Sequence, residues 1–381
     1  MKIAIIPGAF FPNPGGAQVQ AHNLANKLCE KNNKVDILLF NKTNIKKKKY
    51  NIFYLNKYLV NITFIFYYYL NIDITFFLKN YFKKIINERK YNVWHFIFLN
   101  YKSILFISIL KKLNQKIIVT FQGADIQINK KIMYGNRLDK KYDKLLKKNI
   151  HKIDFFTSIS LNIFDDLKKL KLNHKKITII PNGTVLSKII KLKKKKNNKK
   201  VFKIITVARY AAKKKGFDLI PKITRNLISN GLNFKWTIVG KNTSRLLENN
   251  YIKKNKKFFQ IIDDITAKNE LYFPNSKILK FYINSNVYLN LSRIESFGIT
   301  FVEALSANLP IITFDTKGAS EIVLNNYNGF KIKPNNFNLL IKKIIFLSKT
   351  KSFFKNKPFK SSKKFDLDHL LSKYIKIYKK L

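Results

Sequence analysis

The sequence is poor in cysteine, arginine and acidic residues. Cys29 is the single cysteine among 381 residues, which excludes an internal disulfide framework and any cysteine-rich metal site. Acidic side chains number 21 against 75 basic ones, for a formal charge of +54, and only six of the basic residues are arginine. Because 46% of the residues are apolar, a disordered polyelectrolyte is excluded as well.

The lysine excess has two explanations that the sequence leaves open. Lysine, isoleucine, asparagine, phenylalanine and tyrosine share AT-rich codons, so drift in base composition is one. Selection for an anionic partner, above all a membrane surface, is the other. Residues 1–187 carry 33 basic and 10 acidic side chains, and residues 188–381 carry 42 and 11. Such even charge, with so little arginine, is not expected of a nucleic-acid binder.

Long uninterrupted apolar runs are missing too. The longest apolar stretch, Tyr58–Leu78, is interrupted by two asparagines and Asp73, so a membrane-spanning helix is not expected. Its aromatic residues would suit a bilayer interface, but we prefer a buried or half-buried helix. Residues Met1–Gly16 reach a Pro/Gly loop too soon for a signal peptide, and we expect a cytoplasmic protein, free or peripheral on the inner face of the cytoplasmic membrane.

Short apolar runs alternate with amphipathic helical patterns, which predicts two doubly wound α/β halves with parallel sheets. The predicted strands are Lys2–Pro7, Val35–Phe40, Val93–Ile97, Ile117–Phe121, Phe155–Ser158, Ile177–Ile180, Lys203–Val207, Lys235–Val239, Phe258–Ile262, Val287–Leu291 and Ile311–Phe314. The predicted helices include Ala17–Lys31, Asp218–Ser229, Ile299–Ala307 and Asp366–Leu381. Residues 188–200 carry eight lysines and predict a solvated basic linker between domains at 1–187 and 201–360.

Uncommon residues follow several predicted strands, at the edge where open parallel sheets bind ligands. Gly15 and Gly16 could bring backbone N–H groups close to an anion, although a plain strand–helix turn explains them equally well. Arg209 and Lys215, after the strand that opens the second half, could neutralise a diphosphate or be simple solvated charges. Gly240 follows the next strand.

The segment LSRIESFGITFVEAL holds two of the scarce acids. Glu295 follows a strand, and Glu303 lies about two turns into the next helix. Carboxylates accept hydrogen bonds from sugar hydroxyls, and the backbone N–H groups around Phe297, Gly298 and Ile299 can meet a phosphate. The alternative is that Glu295 favours the helix dipole and Glu303 is a surface residue.

Other polar residues are interpreted more simply. Gln122 follows a first-half strand in TFQGAD. His95 lies inside a strand, which is typical of a packed histidine rather than a ligand. The Asp-x-Asp triplet at residues 366–368 is interpreted as the cap of the last helix, and no metal site is predicted.

Taken in order, these motifs resemble the family-4 retaining glycosyltransferases of the GT-B fold, from Lys2 to about Pro334. The motifs that carry the resemblance are the Gly-Gly loop, TFQGAD, IIPNGT, VAR…KG, IVG and the E-x7-E block ESFGITFVE with its LPII…KGASEIV continuation. The resemblance implies two Rossmann-like domains that face a cleft, with the acceptor on the first domain and the nucleotide sugar on the second. The last helix, within residues 361–381, would cross back to the first domain.

The resemblance also implies roles for the site residues. Arg209 and Lys215 would grip the donor diphosphate, Glu295 would contact the donor sugar, and Glu303 would bind the ribose hydroxyls. The remaining donor-binding candidates are Gly15, Gly16, Gln122, Gly240, Phe297, Gly298 and Ile299. Gln122 departs from the family, which often has a histidine there; glutamine hydrogen-bonds but does not titrate. Because the proton in retaining members is commonly assigned to the leaving phosphate, glutamine is compatible with catalysis.

The implied activity is retaining transfer of a hexosyl-type sugar from a nucleotide-diphosphate sugar to a glycan or lipid-linked acceptor, in lipopolysaccharide or envelope polysaccharide synthesis. The donor is a co-substrate, and no cofactor or metal is expected because two cations would meet its diphosphate. Two alternatives stay open. One is a basic nucleic-acid- or membrane-binding protein of this fold without transferase activity. The other is a glycogen-synthase-like or sucrose-phosphate-type enzyme.

Overall fold

The chain folds into two compact units in a computed structural model. The first unit comprises Met1–Asn182 and Leu367–Leu381, and the second comprises Gly183–Asp366. The structure describes residues 1–12, 15–192, 201–263, 270–334, 336–350 and 352–381. Residues 193–200 of the predicted basic linker lie outside these ranges.

The first unit is built on a seven-stranded sheet in which all neighbouring strands are parallel, in the order β3-β2-β1-β4-β5-β6-β7. The strands are β1 (Lys2–Pro7), β2 (Lys34–Leu39), β3 (Asn51–Tyr54), β4 (Val93–Ile97), β5 (Ile117–Phe121), β6 (Phe155–Ser158) and β7 (Ile177–Ile179). Every residue of β4 and β5 is buried, as expected for a parallel sheet with both faces covered.

The second unit has a six-stranded parallel sheet in the order β10-β9-β8-β11-β12-β13. Its strands are β8 (Phe202–Val207), β9 (Phe234–Val239), β10 (Phe259–Ile262), β11 (Val287–Asn290), β12 (Ile311–Phe314) and β13 (Gly329–Ile332). The strand order reverses between β8 and β11, and open α/β sheets bind ligands beyond the carboxyl ends of the strands at such a point.

Helices connect the parallel strands of each sheet. In the first unit they are α1 (Gly16–Glu30), α2 (Lys57–Ile65), a π-helix (Phe66–Leu70), α3 (Thr75–Arg89), α4 (Tyr101–Lys112), α5 (Lys140–Ile150) and α6 (Leu161–Lys168). In the second they are α7 (Leu186–Ile190), α8 (Ala212–Lys215), α9 (Ile220–Ser229), α10 (Asn250–Lys254), α11 (Ser276–Ile283), α12 (Ile299–Ser306), α13 (Lys317–Ile322), α14 (Phe337–Lys349) and α15 (Lys357–Ser362). Helix α16 (Leu367–Lys380) returns to the first unit. Single 3-10 turns lie at Lys130–Ile132, Asn136–Leu138, His174–Lys176, Phe217–Leu219, Thr243–Glu248, Lys256–Phe258 and Lys363–Phe365.

The predicted fold class, two Rossmann-like parallel sheets flanked by helices, is confirmed. Eleven predicted strands are present within two residues of their expected bounds, but β3 and β13 were not predicted. Both are four-residue strands at sheet edges. Short edge strands have little apolar pattern for sequence reasoning to detect, and no residue of β3 is fully buried.

The apolar stretch Tyr58–Leu78 is not the single buried or half-buried helix that we preferred. It forms α2, the π-helix and the start of α3, with a break at Asn71, which adopts a left-handed conformation. Asp73 stabilises the new start, because its carboxylate accepts hydrogen bonds from the backbone and hydroxyl of Thr75 at 2.9 and 2.6 Å. Eight large apolar side chains of this stretch are exposed, and the others are half-buried or buried. No helix in the described part of the chain has the length and apolar character needed to cross a membrane.

Candidate active site

Three predicted site residues follow neighbouring strands of the second sheet. Arg209 comes after β8, Gly240 directly after β9, and Glu295 after β11. Since β8 pairs with both β9 and β11 in parallel register, all three leave the same carboxyl edge. Gly240 has a φ of +151°, and a Cβ atom there would lie 2.1 Å from the carbonyl oxygen of Ala208. Glycine at this position therefore lets β9 approach the backbone that carries Arg209.

Lys215 and Glu295 form an ion pair, with Nζ 2.5 Å from Oε1. Burial by itself would raise the pKa of Glu295, but the Lys215 ammonium and hydrogen bonds from Ser292 and Asn290 outweigh burial and lower the pKa below its ordinary value. Glu295 is therefore a largely buried carboxylate that carries its charge at neutral pH, beside a cation.

Arg209 and Lys214 add positive charge to this pair. Burial and the charges of Lys215 and Arg209 lower the pKa of Lys214 to about 8, although Glu295 opposes the shift. The Arg209 side chain is exposed, and no hydrogen bond or ion pair joins it to any residue within the described ranges. This edge of the sheet thus presents clustered cations, an arrangement that suits an anionic ligand.

A clamp that sequence reasoning missed fixes the loop that carries Lys215. The Arg293 guanidinium donates two parallel hydrogen bonds to the Asp218 carboxylate, both 2.8 Å long, and a third to the Lys213 carbonyl oxygen at 2.5 Å. Gly216 has a φ of +70°, and a Cβ atom there would lie 2.1 Å from the carbonyl oxygen of Leu291. Arg209 stood out because the chain has only six arginines, and the same signal could have found Arg293.

The loop after Glu295 leads into α12 through Phe297, Gly298 and Ile299. Gly298 precedes the helix with a φ of +87°, a left-handed conformation that favours glycine. The Gly318 N–H donates to the Glu295 carbonyl oxygen at 3.0 Å, and a Cβ atom on Gly318 would meet that oxygen at 2.6 Å. The start of α13 therefore holds the Glu295 backbone in place.

Glu303 lies inside α12 and is buried, not a surface residue. Its carboxyl oxygen Oε2 accepts a hydrogen bond from the Tyr282 hydroxyl at 3.0 Å. Burial raises the pKa of Glu303 to about 7, and the bond from Tyr282 only partly opposes that shift. The surface interpretation of Glu303 is therefore wrong, and the group exchanges its proton near neutral pH.

In the first unit, Gly15 and Gly16 begin α1 after β1. Gly15 is the N-cap, with extended backbone at a φ of −152°, and no side chain caps the helix. A Cβ atom on Gly15 would meet the flexible end of the Gln18 side chain at 2.6 Å. The local geometry of this turn does not itself demand glycine, because extended backbone suits any residue.

Gln122 leaves β5 and is held by its neighbours in the first unit. Its side-chain oxygen accepts a hydrogen bond from the Asn182 amide at 2.9 Å, and its own amide reaches Asn182 Oδ1 at 3.4 Å. The buried Asp125 carboxylate accepts the backbone N–H groups of Gln122 and Gly123 at 3.1 and 2.8 Å. Burial raises the pKa of Asp125 to about 6 despite these bonds. Asn182 thereby orients the side-chain amide of Gln122, and Asp125 holds its backbone.

Comparison with known proteins covers both units. A family model for glycosyl transferases group 1 matches residues 187–364, and a model for glycosyltransferase family 4 matches residues 14–188. The chain belongs to the family-4 glycosyltransferases of the GT-B fold.

The glycosyltransferase is 30% identical over 208 residues to the GtfA subunit of UDP-N-acetylglucosamine–peptide N-acetylglucosaminyltransferase from Streptococcus agalactiae, covering 53% of this chain and 37% of that one. It is 26% identical over 132 residues to the capsular polysaccharide biosynthesis glycosyltransferase CapM of Staphylococcus aureus, covering 35% of this chain and 33% of CapM. The chain thus spans about a third of the length of both relatives.

Solved structures agree on the fold of the glycosyltransferase. HepE of Anabaena, in complex with UDP-glucose, matches with a TM-score of 0.75 at 14% identity, and each chain is covered completely. At that identity the match shows the fold alone.

Other candidate residues of the glycosyltransferase have structural roles. His95 is a packed histidine, as predicted: its ring nitrogens bond Tyr378 and Thr120 at 2.7 Å each, and burial lowers its pKa to about 3. Asp368, in the first turn of α16, forms an ion pair with Lys27 at 2.8 Å. Across the residues that the structure describes, no three His, Cys, Asp or Glu side chains form a group that could hold a metal ion.

The start of the predicted basic linker is structured. Lys188 lies in α7, where its ammonium bonds the Glu270 carboxylate and the carbonyl oxygens of Tyr272 and Pro274. Burial lowers the pKa of Lys188, and the bond with Glu270 only partly offsets that effect. Lys188 is therefore not a solvated linker residue but part of the second unit.

Proposed function

We propose that this glycosyltransferase moves a sugar from a nucleotide-diphosphate sugar to a glycan or lipid-linked acceptor, with retention of anomeric configuration. The observation that carries the proposal is the group of Arg209, Lys215 and Glu295 at the carboxyl edge of the second sheet. An arginine and an acid, both scarce in this chain, lie with a paired lysine at the sheet edge where open parallel sheets bind nucleotides. The family assignment supplies the reaction class.

The cations act on the leaving group. As the glycosyl–phosphate bond loosens, negative charge develops on the diphosphate, and the exposed Arg209 guanidinium with the Lys215 ammonium stabilises that charge. The ion pair with Glu295 holds the Lys215 ammonium in place before the donor arrives. Because the ion pair with Glu295 already holds Lys215, that cation needs little reorganisation when the charge appears.

The carboxylates bind the sugar rings. Glu303 accepts hydrogen bonds from the ribose hydroxyls, with Tyr282 fixing one of its oxygens. Glu295 contacts the donor sugar, and the backbone N–H groups at Phe297–Ile299 face the phosphates beside Gly240. In this scheme the acceptor hydroxyl attacks on the face that the leaving diphosphate departs from, and its proton passes to that phosphate.

The first unit contributes the acceptor side. We assign the acceptor to this unit, with Gly15 and Gly16 at its glycine turn and with Gln122, oriented by Asn182, as a hydrogen-bonding group that does not exchange a proton. The similarity to CapM, a capsular polysaccharide biosynthesis enzyme, supports an acceptor in envelope polysaccharide or lipopolysaccharide assembly. We propose a cytoplasmic location, with the protein free or peripheral on the inner face of the cytoplasmic membrane.

A donor panel tests this function. Purified protein is incubated with UDP- and GDP-sugars, with and without lipid acceptors, and nucleotide release is measured. We expect release from one donor class, reduced about tenfold or more in Arg209→Ala and Glu303→Ala while circular dichroism shows an intact fold. Silence across the whole panel favours a binding protein without transferase activity. Full activity in both variants refutes the site assignment.

A further inference from the structure

Exposed apolar side chains are concentrated in one segment of the first unit. Of the 17 large apolar side chains that are exposed in the described part of the chain, eight lie between residues 58 and 77. They are Tyr58, Ile62, Ile65, Tyr69, Leu70, Ile72, Phe76 and Phe77, and we call them the aromatic face. Single exposed apolar residues are ordinary, but eight of them within one segment of the chain indicate an interaction surface.

The aromatic face follows from helical periodicity. Tyr58, Ile62, Ile65 and Tyr69 recur every three or four residues through α2 and the π-helix, so they share one side. They are between 46% and 81% exposed. The buried residues of α2, Val60 and Thr63, fall on the opposite side. Helix α2 is therefore apolar on its outward side as well, whereas a surface helix of a globular protein is normally polar there.

Lysines border the aromatic face. The Lys141 ammonium lies 5.5 Å from the centre of the Tyr68 ring and 5.7 Å from that of Tyr69. The Lys102 ammonium donates to Asn61 Oδ1 at 2.5 Å. Burial, together with the nearby charge of Lys57, lowers the pKa of Lys102. Lys57, Lys102 and Lys141 thus place three basic side chains beside this segment.

The acids of this region are few and already bonded. Asp73 accepts hydrogen bonds from Thr75, and the charges of Lys112 and Lys148 act on it. Asp139 caps α5 and accepts a hydrogen bond from the Tyr101 hydroxyl at 2.5 Å. The border of the aromatic face is therefore cationic overall.

We propose that the aromatic face binds the surface of a lipid bilayer that contains anionic lipid. Tyrosine, phenylalanine and isoleucine side chains with lysines at the margin are what the boundary between head groups and acyl chains accepts. A second copy of this chain is a poorer occupant, because two such faces would bring their lysines together between molecules of +54 charge. This inference rests on the proposed function, because a transferase that uses a lipid-linked acceptor would have to reach the membrane. Its test needs no sugar donor, so its failure is distinguishable from failure of the proposed activity.

Vesicle sedimentation tests this surface. Full-length protein is mixed with vesicles of phosphatidylethanolamine and phosphatidylglycerol, or of phosphatidylcholine alone, at about 0.15 M salt. The variant Ile62→Ser/Ile65→Ser/Tyr69→Ser keeps all 75 basic residues, so it separates the apolar contribution from diffuse charge. Ile190→Ser/Leu161→Ser/Leu324→Ser removes three exposed apolar side chains elsewhere and is the matched control.

We expect the wild type and the control variant to bind the anionic vesicles, and the aromatic-face variant to bind about tenfold more weakly or worse. In Tyr58→Trp, the emission of the introduced indole should shift to shorter wavelength when the anionic vesicles are added. Equal binding of all three proteins overturns the proposal, since charge alone would then account for it. Loss of a concentration-dependent dimer in the aromatic-face variant, with no vesicle binding in the wild type, also overturns it and assigns the face to a second copy.

Discussion

Glu303 is the residue whose environment departs most from what its position in the sequence indicates. Just over one turn into α12, it could have been a surface acid, yet it is only 6% exposed and bonded to Tyr282. A buried carboxyl group with a pKa of about 7 holds its proton in the folded protein over a range in which the unfolded chain has lost it.

This shift makes folding stability depend on pH in a defined direction. Between about pH 4.5 and 7 the folded state binds one more proton at Glu303 than the unfolded state, so stability falls as pH rises through that window. Relative to Glu303→Gln, the wild type should lose up to about 3 kcal/mol across it. Urea unfolding at several pH values, followed by Trp236 fluorescence in a Trp94→Phe background, measures the difference.

The exposed acid Glu248 provides the control for this experiment, because Glu248→Gln leaves the Tyr282–Glu303 contact untouched. A difference between wild type and Glu303→Gln that stays constant with pH, or grows in the opposite direction, contradicts the assignment of a raised pKa to Glu303.

At the same scale, the types of the site residues could be predicted but their pairing could not. Arg209, Glu295 and Glu303 stood out because arginines and acids are scarce, and each follows or lies just beyond a recognisable strand. The Lys215–Glu295 ion pair joins residues 80 positions apart, and among 75 basic residues nothing in the sequence selects that lysine as the partner. Only the pairing of β8 with β11 brings the two together.

Among the elements, the loop from α8 into α9 is fixed by backbone geometry more than by composition. Gly216 is left-handed and in close approach to Leu291, and the Arg293–Asp218 clamp closes the same loop from outside. These contacts determine where Lys215 lies relative to Glu295, so a loop disturbed here would misplace a proposed catalytic cation.

Two glycines with the same left-handed backbone conformation allow the cost of backbone strain to be measured apart from the cost of a steric clash. Gly216 and Gly231 have φ values of +70° and +66°, but a Cβ atom on Gly231 meets nothing within 4 Å, whereas one on Gly216 meets a backbone oxygen. We expect Gly231→Ala to cost about 1 kcal/mol and Gly216→Ala about 3 kcal/mol or more. Urea unfolding followed by Trp236 fluorescence measures both free energies. Equal costs would contradict the expected clash, because the Leu291 backbone would then move away from the new Cβ atom without loss of stability.

The central strands could be predicted because buried parallel strands are continuous apolar runs, as in β4 and β5. The edge strands β3 and β13 could not, since four residues are too few to show a strand pattern in the sequence. The Tyr58–Leu78 stretch misled for the opposite reason. Its apolar residues suggested burial, but an outward apolar face looks identical in sequence to an inward one.

At the scale of the whole molecule, the charge of +54 and the site use different residues. The lysine excess is spread over both halves of the chain, whereas the proposed diphosphate site depends on Arg209, Lys215 and two glutamates in the second unit. The two family models divide near the same place, at residues 187 and 188, as the compact units do at 182 and 183. In this account the overall positive charge contributes to membrane binding, and a few scarce side chains carry out the glycosyl transfer.

The affinity for free nucleotides tests the central claim most directly. Calorimetric titration compares UDP and GDP with their monophosphates on wild type, Arg209→Ala and Arg225→Ala; Arg225 is an equally exposed arginine of the same unit, stacked on Tyr251 at 4.8 Å. We predict that one diphosphate binds more tightly than its monophosphate. Arg209→Ala should lower that affinity about 10- to 100-fold and leave the monophosphate nearly unchanged. Equal diphosphate affinity in wild type, Arg209→Ala and Arg225→Ala would contradict the account.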